Sequence, residues 1–191
     1  MDLLISWNAI TVLWCVFLIY WAIGALSVRR TAHRETSAWR IASLALVVAG
    51  ANLIFSRSWR LGFLDGRFVP DREWLKTLAV LLVAMGIAIA IWARRHLGQF
   101  WSARVTLKVD HQLIQSGPYT WVRHPIYSGL LLALIGSALF VGEWRALLGV
   151  LLLYLGFWQK AWREERLLEQ QFGVDYQQYR TRTGRLIPRL H

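Results

Sequence analysis

The chain has 191 residues, of which 56% are hydrophobic and 12 are Trp; its 22 Lys and Arg outnumber 11 Asp and Glu, for a net charge of +11. That length suits one domain, yet a soluble domain of this size cannot hide so much apolar surface. The basic residues lie between long apolar runs rather than on one polar face, which argues against nucleic acid as a partner and for a bilayer with basic cytoplasmic ends. The single cysteine, Cys15, lies within an apolar run, so an internal disulfide is excluded and a cysteine-based metal site is not expected. Only Asp2 precedes the first apolar run with charge, and no basic stretch marks a cleaved signal peptide.

In chain order, residues 7–28 carry no charge and form the first expected span, since ~20 residues of helix cross a bilayer core. Residues 39–55 form the second, with Arg40 at its edge, and residues 74–92 the third, with Trp74 and Trp92 at its two ends. Trp suits an interface because its ring is apolar while its N–H needs a polar partner. Residues 126–142 and 144–159 follow almost without a break and read as a tight helical hairpin, spans four and five. One continuous helix over both would overshoot a bilayer at ~1.5 Å per residue. The expected architecture is therefore an all-α integral membrane protein of about five transmembrane helices. Residues 1–92 hold three N-terminal spans, and residues 93–191 hold the hairpin and a polar C-terminal cap.

Basic residues set the expected orientation. With the N-terminus outside, only Arg57, Arg60, Arg67, Arg72, Lys76 and Arg145 fall outside, against the rest of the 22. The loop 56–73, with its Gly and Pro turns, reads as a segment lying on the membrane surface. The polar remainder, residues 93–125 and 160–191, then lies on the cytoplasmic side.

In the first polar region the stretch 104–117 holds β-branched residues and reads as a short extended segment closed by a turn at Ser116-Gly117-Pro118. Pro125 suits the first turn of span four, where a missing N–H costs nothing. His124 therefore stands at a helix N-terminus, with Tyr119, Trp121, Arg123 and Tyr127 close by, and such an end favours an anion. In the second region span five continues into an amphipathic helix carrying Trp158, Trp162 and Leu168 on its apolar side. Glu164 and Glu165 point about 100° apart on a helix, read singly as solvated charges, and form no paired acid–base site. Gly173 is expected to break the helix before a short one with Tyr176 and Tyr179.

The order HxLIxxGPYxxxRHPxY from His111 to Tyr127, then Glu164-Glu165, then Phe172-Gly173 with Tyr176 and Tyr179, and finally Ile187-Pro188, resembles the isoprenylcysteine carboxyl methyltransferase family, with its bacterial and phospholipid methyltransferase relatives. The resemblance covers residues 98–188; the first three spans add only apolar character. It implies S-adenosylmethionine bound in a cytoplasmic pocket closed by the C-terminal segment, with contacts from His111, Gln112, Leu113, Ile114, Tyr119, His124, Pro125, Ile126, Tyr127 and Glu164. Gln112 and Ile126 would contribute through their backbones. Arg104 stands near a position where the family carries Gln. Lys160 replaces a substrate-binding Arg, keeping the charge but losing the bidentate fork for a carboxylate.

These residues suit that chemistry. His124 at the helix end can meet the carboxylate of S-adenosylmethionine, Glu164 its ammonium or a ribose hydroxyl, and the backbone of 111–114 its adenine. The methyl is already activated, so positioning dominates. A carboxylate acceptor is ionised at neutral pH and needs no general base, whereas an amine would need one, with Glu164 or Glu165 nearest. The expected activity is methylation of a carboxylate on a membrane-embedded lipophilic substrate. The competing readings are N-methylation of an amino lipid, a non-catalytic membrane binding protein, and a nicotinamide-dependent reductase. No residue is assigned as catalytic, and Glu165 is expected to matter less than Glu164. For the topology, Leu3→Cys and Pro188→Cys, each in a Cys15→Ser background, should react with impermeant thiol reagents from opposite sides of the membrane. Labelling of both from one side would rule out an odd number of spans.

Overall fold

A computed structural model describes residues 3–25, 37–56, 58, 61–98 and 113–189. Its helices are α1 (Leu3–Ala25), α2 (Ser37–Phe55), α3 (Glu73–Leu97), α4 (Pro125–Val141) and α5 (Trp144–Arg182), with short 3-10 turns at Gly62–Asp65 and Gly117–Thr120. Helix α3 is long and apolar enough by length and composition to cross a membrane. The stretches Asn8–Gly24, Ile41–Phe55 and Pro125–Val141 are apolar but shorter. Most of the segment 104–117, expected to be extended, lies outside the described residues, as do His111 and Gln112.

The expected hairpin is present. Pro125 is the first residue of α4 and Gly142 ends the helix in the left-handed conformation at φ 72° and ψ 12°, which favours glycine. The chain reverses at once into α5, whose helical path is interrupted at Gly173 (φ 49°, ψ −118°), as its sequence position suggested.

The bundle is built on close backbone approach rather than on large interlocking side chains. Helix α3 packs along α4, and α2 along α5. A methyl group added to Gly129 would lie 2.6 Å from the Gly86 carbonyl oxygen and 2.7 Å from the Ala90 nitrogen. Gly50 and Gly149 meet in the same way across α2 and α5, where an added methyl on either would lie 2.6 Å from the other's carbonyl oxygen. Small residues at such contacts let helices associate where lipid offers no hydrophobic drive. Ala79, Val83, Ala90 and Ala133 fill the α3–α4 seam beside Ile10 and Phe17 of α1. Polar ties join α1 to the others: Trp14 Nε1 donates to Ser137 Oγ of α4 at 3.1 Å, and Arg94 Nη1 of α3 donates to the Trp21 carbonyl at 3.1 Å.

The loop after α2 does not simply lie on a surface. It docks on the hairpin turn, with Phe68 N–H donating to Gly142 O at 2.9 Å and Trp144 N–H to Gly66 O at 3.1 Å. Arg145, counted above among exterior basic residues, is buried there, donating to the carbonyls of Leu53 (2.8 Å) and Ser56 (2.6 Å) and pairing with Glu143. A buried guanidinium must find several acceptors, and the end of α2 and the start of α5 supply them. The turn end of the bundle is thus fixed, and its opposite end carries the cluster described next.

The close seams predict a contrast. Gly129→Ala should destabilise the detergent-solubilised protein by about 1–3 kcal/mol through overpacking. Gly156→Ala, whose added methyl finds its nearest neighbour at 3.5 Å, should be neutral or gain up to ~1 kcal/mol from helix propensity. Thermal unfolding of the two variants beside the parent measures both.

Candidate active site

At the N-terminus of α4 the chain is joined by its own C-terminal strap, Thr183–Leu186. Arg123 N–H donates to Gly184 O at 2.9 Å, His124 N–H to Arg185 O at 3.1 Å, and Gly184 N–H returns to Trp121 O at 3.2 Å. Ser128 Oγ donates to Leu186 O at 2.6 Å. The helix end expected to attract an anion is therefore lined by carbonyl oxygens of the strap, because the backbone N–H groups of Arg123 and His124 need acceptors once buried.

Below the strap lies a buried set of charges. His124 has its Nδ1 3.4 Å from Glu164 Oε2 and its Nε2 3.4 Å from Glu165 Oε1. The second contact is not aligned as a hydrogen bond, so Nε2 has none among the described residues. Glu165 also accepts from Arg123 Nε at 2.8 Å and from Arg185 through Nε at 3.0 Å and Nη2 at 2.7 Å. Arg123 Nη1 continues to the Thr183 carbonyl at 2.5 Å. Glu164 accepts from the Tyr127 hydroxyl at 2.7 Å. The His124 imidazole stacks on Tyr127 (5.5 Å, 12°), and Tyr127 on Phe157 (5.3 Å, 9°), so a file of three rings runs from the charged cluster towards the apolar core. Lys160 Nζ stands 5.5 Å from the Tyr127 ring centroid.

Two expectations are corrected here. Glu164 and Glu165 are not ordinary solvated charges, and Glu165 does not point away from the site. Its side chain is 5% exposed, against 21% for Glu164. Side chains about 100° apart on a helix still converge when a flat ring presents a nitrogen to each of them, and His124 does so. His124 is accordingly matched to two anions already, which leaves it poorly suited to hold the carboxylate of a ligand as well.

Protonation follows from these contacts. Burial alone would raise the Glu165 carboxyl, but contacts with His124, Arg185 and Arg123 outweigh it and hold the group far below the usual carboxylate range. Burial likewise opposes ionisation of Glu164, and His124, Lys160 and Tyr127 together overcome it. For His124, burial favours the neutral ring, but the two carboxylates win and its pKa is raised above 6.5. Burial is the main cause that raises the Tyr176 and Tyr179 phenols, so both stay protonated.

Among the remaining expected residues, Tyr119 is buried, donates to Ala93 O at 3.4 Å and accepts at its carbonyl from the Tyr179 hydroxyl at 2.7 Å. Pro125 and Ile126 are buried at the start of α4, and Ile126 clusters with Ala93 and Tyr119, a group against which Ile114 packs. Leu113 and Gln115 form one wall of a cleft of about 430 Å³, whose other wall is Phe172, Asp175, Gln178, Tyr179 and Arg182. The expected residues thus fall in three places: Leu113 in the cleft, Tyr119 and Ile114 in the packing at the end of α3, and His124, Tyr127, Lys160 and Glu164 around the charged cluster. Sequence reasoning named Glu165 and Tyr176 without placing either in this cluster, and it did not single out Arg185. No local signal marks Glu165, because the arginines that pair with it, Arg123 and Arg185, stand 42 and 20 residues away in the chain.

Residues 78–170 match the model of the Isoprenylcysteine carboxyl methyltransferase (ICMT) family. The chain is 34% identical over 116 residues to a Schizosaccharomyces pombe protein named protein-S-isoprenylcysteine O-methyltransferase, a match covering 59% of this chain and 49% of that protein. It is 29% identical over 164 residues to the Cupriavidus metallidurans cobalt-zinc-cadmium resistance protein CzcN, covering 84% of this chain and 66% of the other. The solved structure of the eukaryotic intramembrane Ras methyltransferase ICMT shares the fold, with a TM-score of 0.58 at 22% identity over 82% of this chain and 54% of that one. The chain spans about half the length of the fission yeast relative it matches. The matched stretch takes in Arg123, His124, α4, its hairpin turn and both Glu164 and Glu165, while Arg185 and the strap lie beyond it.

The cluster predicts a pH dependence with two limbs. A His whose folded pKa is raised contributes stability that is full below about 6.5 and is lost as pH rises through the folded value; the lowered carboxyls contribute above about 4.5 and lose it as pH falls. Thermal stability should therefore fall on both sides, and His124→Gln should remove the alkaline loss. An alkaline limb that persists unchanged in His124→Gln would assign it elsewhere.

Proposed function

We propose that this protein is an S-adenosylmethionine-dependent methyltransferase that methylates a carboxylate on a lipophilic, membrane-embedded substrate. The observation that carries the reading is the partly exposed Glu164 carboxylate, fixed by Tyr127 and His124 under the strap, within the stretch that matches the ICMT family. The surrounding bundle is read as five spans, with the N-terminus outside and this site cytoplasmic, α4 and α5 being the spans that bring residues 93–191 to one face.

The donor set fits that cofactor. A fixed anion in a partly dry site suits a ligand bearing a sulfonium and an ammonium, and Glu164 is the anion with a face left open. The cleft between Leu113 and Phe172, at about 430 Å³, lies in the usual range for small-molecule pockets. It offers an aromatic ring, the Asp175 carboxylate and the Gln178 amide to a nucleoside. When bound, S-adenosylmethionine supplies a methyl group already activated by the sulfonium. The protein's own residues then orient rather than activate. Leu113 and Ile114 supply the backbone edge; His111 and Gln112, assigned to the same role, lie outside the described residues. Tyr119 braces that edge against α3, and Tyr127 keeps Glu164 in one rotamer. Pro125 and Ile126 set the start of α4 that carries Tyr127. Lys160, beside Tyr127, provides positive charge for the acceptor carboxylate.

The same geometry favours oxygen over nitrogen as the acceptor. An amine must lose a proton to a base, and both nearby carboxylates are held ionised at low proton affinity by cationic neighbours. A carboxylate acceptor arrives ionised and asks for no base.

Calorimetric titration of detergent-purified protein with S-adenosylmethionine and with its demethylated product tests the reading. Micromolar-range binding is expected. Glu164→Gln should weaken it by a hundredfold or more, because losing one partner of a buried charge contact costs about 3–5 kcal/mol, and Tyr127→Phe should weaken it less. Labelled methyl transfer to base-labile ester products in lipid extracts identifies the carboxylate acceptor, whereas base-stable products would point to nitrogen.

A further inference from the structure

Glu165 is the most heavily contacted charge at the site, yet it reaches no open surface. Its two oxygens take up both guanidiniums, Arg123 from the start of α4 and Arg185 from the strap, and lie beside the His124 ring. Arg123 passes the connection on to the Thr183 carbonyl, and the strap backbone pairs with residues 121–124. Arg185 also lies over the Trp158 ring at 4.3 Å, one helical stretch nearer the apolar part of α5. Among the described residues, the ion pairs between the strap and the start of α4 therefore run through one carboxylate, beside the direct bond from Arg123 to Thr183. Glu164, the neighbouring residue, makes no contact with the strap's arginine and keeps its open face.

We propose that Glu165 is a positioning residue: it clamps the C-terminal strap over the start of α4 and so holds His124 and Glu164 in the arrangement the methyl donor meets. This rests on the reading above of what the site binds, but the clamp itself involves only this chain's own residues. The neutral amide of Gln at 165 keeps the size and loses the charge that draws two guanidiniums together. The strap then detaches from α4, His124 loses one of its two anions, and Glu164 is no longer fixed from the His124 side. A bound donor still meets its acceptor in line once captured, so the loss falls on capture rather than on transfer.

The experiment pairs amide hydrogen exchange with kinetics on the full-length detergent-solubilised protein. In Glu165→Gln, exchange at Arg123, His124 and Gly184, whose N–H groups bridge strap and α4, should quicken by about tenfold or more, the order expected for losing charge-assisted hydrogen bonds, while α3–α4 amides stay protected. The KM for S-adenosylmethionine should rise by a similar factor with kcat within a few-fold of the parent. Glu165→Asp should restore most of the protection. Arg185→Gln opens the same clamp from the strap side and serves where Glu165→Gln fails to fold. Unchanged exchange at those three amides would overturn the clamp. So would a kcat loss at constant KM, which would make Glu165 part of the transfer step. If the parent protein binds no S-adenosylmethionine at all, the functional reading falls, and the exchange measurements still decide the clamp.

Discussion

A carboxylate taken out of water beside a membrane bundle costs several kcal/mol unless cations and hydrogen bonds replace the lost hydration. Glu165 is in that position, and the local structure is arranged around meeting its demand. Two guanidiniums and an imidazole converge on it from two segments far apart in the chain: Arg123 and His124 just before α4, and Arg185 of the strap. Once these are drawn together, the backbone groups they carry are buried as well and must pair, which they do across Trp121–His124 and Gly184–Arg185. The strap is thus a consequence of satisfying one anion. Tyr176, fully buried beside this cluster with its hydroxyl unpaired among the described residues, shows how tightly the post-kink helix is pressed against it.

This arrangement needs helix ends held to a fraction of an ångström, and the bundle supplies that by close approach. Gly86 against Gly129 and Gly50 against Gly149 set α3 on α4 and α2 on α5 with backbone nearly touching backbone. Such seams leave little room for sliding. At the far end Arg145 ties the α2 terminus to the start of α5, and the docked loop holds the hairpin turn. The N-terminal helices are therefore part of the frame that places the site, and not anchors alone.

The division of labour between two adjacent carboxylates follows from exposure. Glu165 is surrounded and has no capacity left for a ligand; Glu164 is held by a phenol and an imidazole and keeps a face open. The stack His124–Tyr127–Phe157 leads from these charges to the apolar interior, so a polar ligand and a greasy one can approach the same few residues from different directions. That geometry suits the proposed reaction between a water-soluble donor and a lipid-borne acceptor, in which positioning rather than acid–base chemistry would dominate.

The apolar runs, the hairpin at Gly142, the break at Gly173 and the place of Pro125 in the first turn of α4 were legible in the sequence, because each depends on local backbone preference or on hydrophobic length. The motif around Arg123, His124 and Tyr127, and its link to Glu164, were legible as a pattern. The roles within it were not. From sequence, Arg123 and His124 stood at a free helix end ready for an anion, and Glu165 pointed away. In the folded chain the end is covered by the strap, His124 is shared between two carboxylates, and Glu165 joins Arg123 to Arg185 across sixty residues of chain. Likewise the sequence marked only the membrane side of Arg145, and its burial among carbonyls came with the packing of α2 on α5. A charge's environment is set by what other segments bring to it, and the desolvation that decides its role exists only after those segments have packed.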